Sequence, residues 1–282
     1  MLTTFLYSLL SAGLGSCSQS DTIRPDESVA SARETASLLI TEGFEKSQLA
    51  SSWHKELRAD NAGSLDQKLA RVGKQSMRFS WKPSQYDGTN NSCHSELASA
   101  FIDAKENERW YGFSVYLPSA NNADDAEIAN IVQWHAFPDP GYEGTVPPIN
   151  MTLEANNKLT FSYRASNVPI TKPLQHATSQ KIMSLGTAQY DQWVDYVVHI
   201  KWDPTGTTGI VQVWQNGQLK IDEQNVSVGY PNSRNYWKFG LYCWSGKATH
   251  SERVAYFDEM RVGNANATYN AVRPGIDNNT AR

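Results

Sequence analysis

Tyr236-Trp237-Lys238-Phe239-Gly240-Leu241-Tyr242-Cys243-Trp244 alternates residue by residue between two characters. In an extended strand, successive side chains point to opposite faces. Trp237, Phe239, Leu241 and Cys243 therefore share one wholly apolar face, which predicts burial in a core. Tyr236, Lys238, Gly240, Tyr242 and Trp244 share the other, aromatic and polar with a gap at the glycine. A strand with one face for a core and one for water or a polar ligand belongs to an antiparallel sheet.

Working outward, runs of the same kind recur: Ser76–Trp81, Trp110–Leu117, Ile128–Phe137, Asn150–Leu153, Lys158–Arg164, Val194–Trp202, Ile210–Gln215 and Val254–Val262. Gly, Asn, Asp and Pro separate them. Many short strands at this spacing predict an all-β fold, a two-sheet sandwich or jelly roll, rather than βαβ units. Asn216-Gly217 lies between two strand-like runs and predicts a tight hairpin, because a type I′ turn needs positive φ at both central residues. Ser64–Ala70 reads as a short helix. No internal repeat and no second domain are evident.

The chain has 282 residues, of which 40% are hydrophobic and 19% charged, enough apolar material for one large domain over 38–282. Nine Trp and thirteen Tyr supply flat apolar faces with polar edges, suited to sugar clefts and to sandwich cores alike. The absence of any basic run argues against a nucleic-acid partner. The net charge of −4 weighs against a polyanionic partner, unless a local basic patch overrides it. Phe5–Leu14 is an apolar run too short to span a bilayer, which predicts a signal peptide over 1–17. Leu14-Gly15-Ser16-Cys17 resembles a bacterial lipobox, although Met1–Thr4 lacks Lys or Arg. The expectation is a secreted or cell-surface lipoprotein, with Cys17 as a lipid anchor and 18–37 as a flexible tether.

Eight segments together resemble the heparin-lyase-I-like polysaccharide lyases, most closely the glucuronan lyases. They are Thr41–Glu45, Cys93–Leu97, Trp110–Pro118, Val132–His135, Trp193–Trp202, Val213–Gly217, Lys238–Tyr242 and Tyr256–Gly263. The resemblance implies a jelly roll with a substrate-binding sheet, a structural calcium ion, and cleavage of an acidic, uronate-containing polysaccharide by β-elimination, β-1,4-glucuronan being the nearest substrate. It places Tyr242 on the family's catalytic Tyr, His94 on a catalytic His, and Gln133 on the Gln that neutralises the uronate carboxylate. One departure is His94, which precedes Ser-Glu-Leu where members commonly carry Arg. Calcium rests on the resemblance alone, with Glu42 near the first strand's start and Asp258 in the last strand as oxygen ligands.

The residues fit such chemistry. Elimination needs the carboxylate neutralised, a base for the C5 proton, and an acid for the departing O4. In glucuronate that proton and O4 lie on one ring face, so a single Tyr can serve both. Free Tyr titrates near about 10 and needs help to ionise. His94 is the nearer helper, since Lys238 lies two pleats from Tyr242. His94 shares a strand face with Glu96, and Gln133 shares one with His135. Glu96, His135, Lys238, Tyr236, Arg164 and Trp244 are the expected substrate-binding residues, with His199 a further cleft candidate. Each could equally be an ordinary surface or packing residue. Cys93 and Cys243 flank the His94/Tyr242 pair from behind and either form a disulfide or remain two buried thiols. A monomer is expected. Two rival readings are a retaining glycoside hydrolase, for which no strand carries Glu-x-Asp-x-x-Glu, and a non-catalytic carbohydrate-binding module.

Overall fold

The computed structural model describes residues 37–58, 62–100, 106–137, 146–168, 177–231 and 234–275. The expected leader, Cys17 included, and the expected tether up to residue 36 fall outside the described residues; Ser37, the last tether residue, is described and is buried.

Two antiparallel sheets make a jelly-roll sandwich. The eight-stranded sheet runs β13 (Gln218–Gln224), β12 (Ile210–Gln215), β11 (Trp193–Lys201), β6 (Glu108–Tyr116), β15 (Arg253–Gly263), β4 (Ser76–Trp81) and β3 (Gly63–Asp66), with β1 (Leu38–Glu42) also on β15. The seven-stranded sheet runs β10 (Ser179–Thr187), β9 (Lys158–Ala165), β8 (Ile149–Glu154), β7 (Ala129–Phe137), β14 (Arg234–Tyr242), β5 (His94–Ala98) and β2 (His54–Leu57). Two one-turn helices, α1 (Ser119–Asn122) and α2 (Tyr269–Val272), lie against β15. β4 and β12 coincide with the expected runs to the residue, and Asn216 (φ 47°) and Gly217 (φ 79°) make the expected positive-φ hairpin turn.

β14 obeys its alternation. Trp237, Phe239, Leu241 and Cys243 are fully buried between the sheets. Phe239 meets Trp53 edge-on at 5.2 Å and Phe79 of the opposite sheet at 5.7 Å. Rings of this size each contribute roughly 1.5–3 kcal/mol on burial. The polar face of β14 is thereby held against a rigid backing.

The expected helix over Ser64–Ala70 is not formed. Ser64–Asp66 lie in β3, paired with β4 at Leu65↔Met77, and Leu65 packs on the core. Tertiary pairing overrides a weak local preference here. The thiols of Cys93 and Cys243 are both buried and free, although Cys243 N donates to Cys93 O at 3.0 Å. β10 was not anticipated; it is a sheet edge whose residues are mostly exposed, so no apolar period marks it.

Candidate active site

A cleft of about 1090 Å³ crosses the outer face of the seven-stranded sheet. Tyr242, His94, Gln133, His135, Lys238, Tyr236, Arg164 and Trp244 all line it, so eight sequence-selected residues meet in one place. Register explains this. β14 pairs with β5 at Tyr242↔His94 and with β7 at Lys238↔Gln133 and Tyr236↔His135. Facing residues in adjacent strands approach to about 5 Å, which makes them side-chain neighbours.

Tyr242 and His94 stack nearly parallel, 4.4 Å between centroids and 9° between planes. The Tyr242 hydroxyl donates to Asn90 Oδ1 at 2.8 Å. Trp244, 42% exposed, stands at the rim with its ring 5.9 Å from that of Tyr242.

Glu96, expected to touch substrate, lies beneath the cleft with its side chain fully buried and cannot reach a glycan. It is the hub of the site instead. Its Oε1 accepts from Gln133 Nε2 at 2.6 Å, and its Oε2 lies 2.6 Å from His94 Nδ1 and 2.9 Å from Lys238 Nζ. Burial pushes the carboxyl pKa up, but the Lys238 charge and the His94 hydrogen bond outweigh that and hold it at about 2. An ionised carboxylate only accepts. His94 Nδ1 must therefore carry a proton toward Glu96, so that in the neutral tautomer the lone pair lies on Nε2.

Glu56 stands directly opposite Glu96 in the β2–β5 pair, an arrangement that is destabilising for like charges on its own. Lys238 resolves it, with Nζ 2.7 Å from Glu56 Oε2 as well. Burial works against the Lys238 charge, yet Glu96 and Glu56 together raise its pKa above the usual lysine range. Among the described residues, Glu56, His94 and Glu96 are the three acidic or imidazole groups gathered at metal-ligand spacing, within 4.8 Å. The Lys238 ammonium supplies the positive charge between the two carboxylates.

Burial, aided by the neighbouring groups Cys93 and Glu96 and opposed by the Lys238 charge, pushes the Tyr242 pKa up to about 12, so the hydroxyl is not made more acidic in the free site. Burial likewise lowers His135 to about 4; its Nδ1 lies 2.9 Å from the Ala136 carbonyl and its ring stacks on Tyr236 at 5.3 Å. His199 is not in the cleft. It belongs to the other sheet, stacked on Trp110 at 3.9 Å and hydrogen-bonded to Glu108 and Gln212.

The expected calcium ligands do not form a cation cradle. Glu42 ends β1 rather than starting it, and its Oε1 accepts from Phe44 N. Asp258 is fully buried, and its oxygens accept from the backbone N–H groups of Arg71, Val72 and Glu259. A calcium ion needs about six to eight oxygens. This acceptor set faces N–H groups and does not fit one.

Sequence reasoning missed Glu56, Asn90, Asn130 and Asn150, all of which line the cleft. Lys55, Arg58, Arg164 and Lys238 line the cleft with one acidic group, Glu56. Arg58 is paired with Asp87, and Lys238 with Glu56 and the buried Glu96, which leaves Lys55 and Arg164 as the cleft cations without a carboxylate partner among the described residues. Nearby charges dominate distant ones in salt.

A jelly roll carrying imidazole, amide, phenol and cationic side chains along one open sheet face is a carbohydrate-active sandwich. The chain belongs to the polysaccharide lyase family, whose pattern it matches over residues 41–261, and it is a polysaccharide lyase. Among solved structures it is similar to an endo-β-1,4-glucuronan lyase from the fungus Trichoderma reesei, at 22% identity and a TM-score of 0.61 over 80% of this chain and 99% of that one. It is also similar to alginate lyase A1-II′ (16% identity, TM-score 0.52, 76% and 95% covered) and to an alginate lyase from Aplysia kurodai (13%, 0.51, 73% and 88%). At these identities the likeness is one of fold. No curated protein sequence matches the chain.

Proposed function

We propose that this lyase cleaves a uronate-containing polysaccharide by β-elimination, with β-1,4-glucuronan as the substrate, and that His94 and Tyr242 move the protons. The observation that carries the reading is the stacked pair itself. An imidazole and a phenol from adjacent strands stack face to face and line the same cleft. That suits glucuronate, whose C5 hydrogen and O4 project from one ring face. Lys55 and Arg164, which line the cleft without a carboxylate partner among the described residues, favour an acidic glycan. The T. reesei neighbour, which is named for β-1,4-glucuronan, supports the finer choice.

In this mechanism His94 Nε2 takes the C5 proton, and the freed electron pair forms the C4–C5 double bond. The C4–O4 bond breaks, and Tyr242, which keeps its proton in the free site, delivers it to O4. The proton on His94 then returns to Tyr242, through water, before the next turnover. Gln133 has a second N–H proton beyond the one given to Glu96, and it helps offset the uronate charge. Trp244 offers a platform for a neighbouring sugar. A polymeric substrate also favours the expectation that the chain acts outside the cytoplasm, as an exported or lipid-anchored monomer.

The test is incubation with glucuronan while following ultraviolet absorbance of the new double bond. A rise for wild type that is abolished in His94→Gln supports the reading. Turnover of neutral β-1,4-glucan, or release of saturated sugars only, removes it.

A further inference from the structure

Gln133 is a poor sole neutraliser of the substrate carboxylate, because its amide nitrogen is engaged by Glu96 and its Oε1 is buried with no partner among the described residues. A second amide on the same strand is better placed. Asn130 is 4% exposed, lines the cleft, and stands opposite Tyr242 in the β14–β7 register.

The orientation of the Asn130 amide is fixed by a chain of hydrogen bonds that begins at a group able only to donate. Arg164 Nη1 donates to Asn150 Oδ1 at 2.7 Å. That makes the other end of the Asn150 amide the nitrogen, and Nδ2 donates to Asn130 Oδ1 at 2.8 Å. Thr152 Oγ1 donates to the same oxygen at 2.8 Å. With Oδ1 doubly engaged, the Asn130 Nδ2 group is turned away from the network, and it makes no hydrogen bond among the described residues. A guanidinium donates and never accepts, so the polarity of the whole relay follows from Arg164.

Building on the reading of the previous section, we propose that Asn130 is a further catalytic residue, whose Nδ2 donates to the uronate carboxylate at the cleavage point, and that Arg164 is its positioning residue, acting through Asn150. The spacing fits. Adjacent strands lie about 4.8 Å apart, close to the width of one sugar ring. Tyr242 has Asn130 beside it on β7 and His94 beside it on β5, so a ring with C5 at the His94/Tyr242 pair and its carboxyl group turned toward β7 meets Asn130. Charge moves onto that carboxylate as the C5 proton leaves. A pre-aimed donor there stabilises the transition state more than the ground state.

The experiment uses the whole chain. Turnover on glucuronan is measured for Asn130→Ala and Asn130→Asp, and for Arg164→Met and Arg164→Lys. Asn130→Ala is expected to lose about 10²-fold in kcat, the scale for losing one such donor, with Asn130→Asp at least as impaired. Arg164→Met should lose on the order of 10-fold, Arg164→Lys should recover most of it, and the Arg164→Met loss should vanish in an Asn130→Ala background. Binding is then read by calorimetry in a Tyr242→Phe background, with a glucuronate tetramer and its carboxyl-reduced counterpart, cellotetraose. Asn130→Ala should weaken the acidic tetramer about tenfold and leave the neutral one unchanged. Equal losses for both glycans, or no carboxylate-dependent difference at all, overturn the assignment of Asn130. Independent, multiplying losses overturn the relay from Arg164. Failure of wild type to turn over any uronate polymer sinks the lyase substrate reading alone, since the binding contrast still judges Asn130.

Discussion

Replacing Glu96 by Gln removes one negative charge with almost no change of shape, and the structure sets the size of the effect. The wild-type carboxylate holds Gln133, His94 and Lys238 at 2.6, 2.6 and 2.9 Å. Breaking a buried ionic cluster by deleting one partner costs about 3–5 kcal/mol. Lys238 keeps Glu56, which places the expectation at the low end, about 3 kcal/mol. A second route agrees. The Glu96 carboxyl falls from an ordinary 4.5 to about 2 on folding. A depressed acid contributes stability that is present above its unfolded pKa and lost as pH falls toward its folded one. The shift is worth on the order of 3 kcal/mol. Urea unfolding of wild type and Glu96→Gln should therefore differ by about 3 kcal/mol near neutral pH and converge as pH falls from about 4.5 toward 2. In turnover assays the variant should lose on the order of 10²–10⁴ in kcat, because the His94 Nδ1 proton loses its carboxylate at 2.6 Å and keeps only Glu56 at 3.5 Å. A gap under about 1 kcal/mol at neutral pH, or one that persists undiminished in acid, refutes the hub assignment.

Tyr242→Phe should abolish unsaturated product in the absorbance assay while leaving glucuronan binding within a few-fold, since only the hydroxyl is removed. Gly240→Ala should fail to fold stably, read as lost soluble yield or a much lower thermal midpoint. Gly240 has φ 136°, and a Cβ there would sit 2.2 Å from Ser95 O. Phe239→Ala should destabilise by about 3–5 kcal/mol in urea titration, as a fully buried ring at the sandwich centre. Cys93 and Cys243 should react with a thiol reagent only after denaturant is added, because both are buried and burial raises both thiol pKa values.

β14 was legible because its two faces differ in character at every step, and its register with β5 and β7 then assembled His94, Gln133 and His135 around Tyr242. What stayed hidden depends on pairing rather than on pattern. Glu56 lies in the four-residue strand His54-Lys55-Glu56-Leu57, which has no apolar period, and its role exists only because it faces Glu96. Asn130 was hidden by a bulge. By strict alternation it shares a face with Val132 and Trp134, both buried inside. The β7–β8 register shifts between Asn130 and Val132, which turns Asn130 outward to the cleft. The calcium ligands had no support in the residues themselves, and the structure gives Asp258 to backbone N–H groups.

The stacked pair and its hub ride on β5 and β14, inside the sheet, and every second residue of those strands belongs to the core. Ser95 and Leu97 alternate with His94 and Glu96, as Trp237, Phe239 and Leu241 alternate with Lys238 and Tyr242. A substitution that repacks the interior therefore shifts the chemistry as well, and descendants of this sequence have little freedom there. His54, Lys55 and Arg58 are under no such constraint, being on or beside the edge strand β2 at one end of the cleft. Divergence toward new glycans should accumulate at that rim, with the reaction inherited intact and the preferred polymer left free to drift.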